Sequence, residues 1–103
     1  MDIAAPSVHS ESRITTASAR RYLGQLCKHF QHKLLASYDE DFQHGRIEFS
    51  VGVCELDATD PSLLVMRASA ASDADLERLE DVVARHLERF AFREPPQVSW
   101  TRG

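Results

Sequence analysis

The hydrophobic pattern changes period twice along this chain, and that change limits the fold more than any motif does. From Leu34 to Ala68 the apolar residues fall at alternate positions: Leu34, Ala36 and Tyr38, then Ile47 and Phe49, then Cys54 and Leu56, then Leu64, Met66 and Ala68. Period two puts one set of side chains on one face of a strand. The connections are short and polar: 39–45 (Asp-Glu-Asp-Phe-Gln-His-Gly), Ser50-Val51-Gly52 with the glycine carrying the turn, and 58–62 (Ala-Thr-Asp-Pro-Ser). Four consecutive antiparallel strands with one apolar face are therefore predicted.

On either side the spacing becomes helical. Ala19, Tyr22, Leu23, Leu26, Cys27 and Phe30 follow i, i+3, i+4 spacing behind Ser18 as N-cap, and Leu76, Leu79, Val82, Val83, Leu87 and Phe90 do so behind Ser72 or Asp73. The second helix is predicted over Asp73 to Phe90 or Ala91, before Pro95-Pro96 stops it. Gly24 costs the first helix about 1 kcal/mol relative to Ala, which suggests that something packs closely there. Met1 to Ser12 is small, polar and acidic and reads as a disordered tail. A first strand is placed at 13–17, a last edge strand at 97–101 with Val98 and Trp100 inward, and one domain over 13–103. The order β-α-β-β-β-β-α, with the added C-terminal edge strand, is a two-layer α+β sandwich whose antiparallel sheet is covered on one face by two helices. A ferredoxin-like fold fits less well, because it expects two βαβ units. Leu26, Phe30, Ile47, Phe49, Leu56, Leu64, Leu79, Val83 and Leu87 are the expected core.

Composition removes several function classes. The 103 residues carry a formal charge of -4, unlike the basic domains that bind nucleic acid. Two cysteines do not make a disulfide scaffold, and the longest aliphatic run, Leu63 to Met66, cannot span a bilayer. The start has neither a basic nor an apolar leader region, so a cytoplasmic protein with no membrane partner is expected. No GxSxG, P-loop, GxGxxG, HExxH or EF-hand pattern occurs, and no catalytic residue is assigned.

Two constellations remain as sites. Cys27, Cys54 and His86 each point inward on a different element, and two thiols with one imidazole can hold zinc or iron(II) with an open position. Against that, free cysteines are most often small core hydrophobes, and no paired local ligand spacing supports a metal. Lys28, His29 and His32, with Lys33 beside them, lie in a stretch from Arg13 to Lys33 that has no acidic residue, whereas 39–60 holds seven acids against Arg46 alone. A basic helix opposite an acidic hairpin suggests a site for a small anionic ligand, joined by Arg93 from beyond the second helix, or a complementary surface for a protein partner, including a homodimer. The plainer account is a solvated helix end whose late cations suit its dipole.

The segments 21–33 (RYLGQLCKHFQHK), 52–56 (GVCEL) and 85–94 (RHLERFAFRE), in that order, resemble a bacterial family known only as domain of unknown function 2218, over about Arg13 to Trp100. The resemblance implies a fold similar to the TATA-binding protein and to the C-terminal domain of phosphohexomutases. It names no activity, and it implies a loose association with iron and siderophore uptake. A small binding or accessory module is thus the leading expectation, and a metal- or thiol-dependent enzyme using Cys27, Cys54 and His86 is the alternative. Many family members have proline in the turn where this chain has Val51.

Overall fold

The computed structural model describes residues 7–90 and 98–103. Strand β1 (Val8–Thr15) leads into helix α1 (Ala19–Gln31). Strands β2 (Leu35–Tyr38), β3 (His44–Phe49), β4 (Gly52–Asp57) and β5 (Leu63–Ala70) follow, then helix α2 (Asp73–Phe90) and the short strand β6 (Thr101–Arg102). The six strands form one open sheet in the order β2-β3-β4-β5-β1-β6, with every neighbouring pair antiparallel. This is the predicted α+β arrangement, and the four consecutive strands between the two helices, where a ferredoxin-like fold has two, set it apart from that fold.

Both helices lie on the face that carries Ile14, Ile47, Cys54, Leu56, Leu64, Met66 and Ala68. Leu23, Leu26, Cys27 and Phe30 come down from α1, and Leu76, Leu79, Val83 and Leu87 from α2. The expected core residues are all buried except Phe49, which is half-buried on the same side and meets Phe30 edge to face at 4.9 Å. The strand register is therefore as read. Val65, expected outward, is buried on the opposite face.

Several boundaries differ from the expectation, each for a physical reason. β1 begins at Val8, inside the segment taken as a tail; residues 1–6 of that segment lie outside the described residues. Of its core-facing positions Val8, Ser10, Ser12 and Ile14, the middle two are buried serines, which break the apolar alternation. Its ladder with β5 runs from Val8 opposite Ala70 to Thr15 opposite Leu63, and backbone pairing does the work that pattern could not. β6 overlaps the expected edge strand only at Thr101, because only Thr101 and Arg102 pair with β1, while Val98 and Trp100 still pack against the core and residue 97 lies outside the described residues. Arg102 ties β6 to α2 through Asp73 at 3.1 Å.

Ser72 caps α2 through its hydroxyl, which accepts the Asp75 N–H at 3.2 Å, but Ser18 makes no side-chain cap on α1. Gly24 is in α1 for close packing: a Cβ there would sit 2.9 Å from the Phe42 ring. Phe42 holds a left-handed φ of 57° in the β2–β3 turn, where Asp39 accepts N–H bonds from Gln43 and His44. Gly52 does not supply turn conformation, since no described glycine has positive φ. It avoids the Ser69 carbonyl oxygen, which a Cβ would approach to 2.2 Å.

Candidate functional site

The two thiols come together in the core, between α1 and the sheet. Both are fully buried, and Cys54 stands opposite Ile47 in the β3–β4 ladder. Burial pushes the Cys54 thiol up to about 12 and the Cys27 thiol to about 11, so neither is a thiolate near neutral pH. His86 does not join them. Its Nδ1–H donates to the Val82 carbonyl at 2.7 Å, and its ring packs on Phe30 and His29. No group of three His, Cys, Asp or Glu side chains able to hold a metal forms among the described residues. The Cys27–Cys54–His86 centre is thus not assembled: helix packing uses the cysteines as small hydrophobes and turns His86 toward α1.

The structure assembles a different group. His29 lies about 100° around α1 from the buried Phe30, which carries it to the flank facing α2. There its ring meets the His86 ring, centroids 4.9 Å apart, and the edge of Phe90 at 5.8 Å. Partial burial first, then the positive charge of His86, His32, Arg89 and Lys33, hold His29 below the usual histidine range. None of the described charges acting on His29 is a carboxylate. With the His86 Nδ1 proton fixed on Val82, its Nε2 is the nitrogen left for a ligand. An open cavity of about 450 Å³ lies alongside, lined by Arg85, His86, Glu88 and Arg89. Arg85 is engaged by Asp81 at 3.1 Å, whereas Arg89 and Lys33 make no ion pair among the described residues.

The predicted basic cluster is therefore split. Lys28 leaves it, because its Nζ sits 5.1 Å over the Phe42 ring, around α1 from His29. His32 stays near His29, and Arg93 lies outside the described residues. Arg20 is a structural clamp, donating to the carbonyls of Ala58 at 3.0 Å and Thr59 at 2.9 Å. The acids of the hairpin are mostly engaged at home. Asp39 and Asp57 flank His44, Glu55 holds Arg46, and Asp57 and Asp60 bond Thr59 and Ser62 in their own turns. Sequence reasoning missed the pairing of His29 with His86 and the part of Arg89. The one local signal was that each helix carries a histidine near its C-terminal end.

Comparison with known proteins follows the fold. A family profile described as "Uncharacterized protein conserved in bacteria (DUF2218)" matches residues 11–101. The NMR structure of PA4090 from Pseudomonas aeruginosa is similar at 33% identity, over 91% of this chain and 95% of that one, with a TM-score of 0.75. No curated protein matches. No helix among the described residues is long and apolar enough to cross a membrane.

Proposed function

The chain belongs to that family of uncharacterised bacterial proteins, and from this premise we propose that it is a small binding module that takes an anionic ligand between the ends of its two helices. The observation that carries the reading is the His29–His86 pair, two imidazoles from different helices at 4.9 Å, with His32, Lys33 and Arg89 around them. Like charges held this close repel unless something neutralises them. The backbone supplies part of the compensation, because both helices end here and their carbonyl ends favour cations. A bound anion supplies the rest. It accepts from His86 Nε2 and the His29 ring when these are protonated, and from Arg89 at any ordinary pH. The aromatic floor of buried Phe30 and half-buried Phe90 lowers the local dielectric and strengthens each contact.

An accessory role in iron handling fits the same chemistry, since ferric chelates with carboxylate or catecholate arms carry net negative charge. A thiol- or metal-dependent enzyme finds less support, because its three residues serve the core and the helix contact.

Isothermal titration with inorganic phosphate, citrate and ferric citrate tests the proposal. Binding should be tighter at pH 6 than at pH 8 by about tenfold or more and should weaken with added salt. A His29→Gln/His86→Gln double variant should lose the pH dependence while keeping a cooperative unfolding transition. Equal affinity in the double variant, or no binding by the wild type at pH 6, would overturn the proposal.

A further inference from the structure

No element among the described residues covers the face of the sheet away from the helices, and that face carries an ordered row of charge. Reading across the strands, the register aligns Ser37 of β2, Arg46 of β3, Glu55 of β4, Arg67 of β5, Glu11 of β1 and Thr101 of β6. The four central positions alternate in sign, and their side chains are 36–58% exposed. The row is incomplete at its middle. Glu55 and Arg67 stand directly opposite in the ladder, yet they form no ion pair with each other. Glu55 is held by Arg46 on one side at 3.1 Å, and Arg67 by Glu11 on the other at 3.1 Å. Beside Arg67 a groove of about 370 Å³ runs toward β1 and β6, bordered by Glu55, Glu11, His9, Thr101 and Gly103.

An alternating row of four charges has a particular symmetry. Turned about a two-fold axis that runs along the strand direction through its midpoint, it places each charge opposite one of the other sign. Arg46 then faces Glu11 of a second copy, and Glu55 faces Arg67. That midpoint lies between β4 and β5, which is also the middle of the six-strand sheet. The same rotation sets β2 over β6 and β3 over β1, so the whole face is covered. Of the two flanking rows, one brings Glu48 over His9 and Val53 over Ser69, and the other sets Asp57 over Val65 and His44 over Arg13, the one pairing in which two cations can meet. We infer that the open face is a self-association surface, in which two copies stack sheet to sheet and Glu55 of each faces Arg67 of the other. An isologous contact of this kind closes as a dimer and leaves no free face. Six strands about 4.8 Å apart and about six residues long give roughly 600 Å² per copy, near the lower end of specific interfaces. The dimer is accordingly weak and sensitive to salt.

Analytical ultracentrifugation of the full chain, from about 10 µM to 1 mM and at low and high salt, reads this directly. The wild type should move from 11.6 kDa toward twice that mass as concentration rises, and back when salt is added. Glu55→Arg and Arg67→Glu should each stay monomeric, because each sets like charges against the partner row. Mixed one to one, they should form a heterodimer, since Arg at 55 in one then meets Glu at 67 in the other. Wild type that remains monomeric at 1 mM overturns the inference. So does a wild-type dimer that both variants preserve, which would place the contact elsewhere, such as the free edge of β2 beside the exposed Leu35. Backbone amide spectra of both variants confirm that they are folded, and Arg46→Ala, which removes an outer charge without creating repulsion, should weaken the dimer several-fold.

Discussion

Replacing Gly52 by alanine is the sharpest test of how β4, β5 and α2 fit together. A Cβ at that position would stand 2.2 Å from the Ser69 carbonyl oxygen, 3.1 Å from Ala70 Cβ and 3.1 Å from Leu79 Cδ2. Carbon and carbonyl oxygen normally approach no closer than about 3.3 Å, so about 1 Å of movement is required. The oxygen belongs to the backbone of β5, which is held by β4 on one side and β1 on the other, and Leu79 is fully buried above it. Overpacking of this kind costs about 1–3 kcal/mol, with rigid backbone as the obstacle placing it at the upper end. The lower chain entropy of alanine in the unfolded state offsets only about 0.4–1 kcal/mol. Gly24→Ala is the matched control. There the neighbour at 2.9 Å is the Phe42 ring, a side chain that can turn, and the helix gains about 1 kcal/mol from alanine. In urea, Gly52→Ala should lose about 2–3 kcal/mol, whereas Gly24→Ala should stay within about 1 kcal/mol of wild type. A Gly52→Ala protein as stable as wild type would refute the close approach of β4 to β5, and with it the register that builds the charged row.

Two further outcomes follow from the core. Neither Cys27 nor Cys54 should react with a thiol reagent at pH 8 until the protein is unfolded, and fast native labelling would contradict their burial. Both thiols are raised in the folded state, so unfolding releases protons above about pH 9, and stability should fall as pH rises beyond that point. Leu87→Ala, at a fully buried site, should cost about 2–5 kcal/mol by denaturant titration, and Phe49→Ala, half-buried, should fall at the low end of that range. A loss below about 1 kcal/mol at Leu87 would mean that α2 does not seal the core there.

Much of the fold was legible because its elements carry their period openly. The middle strands alternate cleanly, and α2 has both a capping serine and an acidic first turn. β1 was only partly legible, because serines stand at two of its inward positions, Ser10 and Ser12, and its place is set by pairing with β5, far along the chain. The candidate site was half legible. His29 and His32 stood out as a basic cluster, but a histidine's neighbour on another helix depends on helix packing, which sequence spacing does not encode. The same limit hid the charged row. Glu11, Arg46, Glu55 and Arg67 each read as an ordinary outward residue, and only the register of four strands aligns them.

The central claim is that His29 and His86 form an anion site, and the most direct measurement is the titration of their imidazole resonances by NMR, with and without inorganic phosphate. Without ligand, His29 should titrate below the usual histidine value, as its partial burial and then its cationic surroundings dictate. Phosphate should move the titration of His29 upward, shift the Nε2 resonance of His86, and leave His9 and His44 on the far side of the sheet unchanged. Titration curves of His29 and His86 that ignore phosphate, or that move no more than those of His9, would contradict the account.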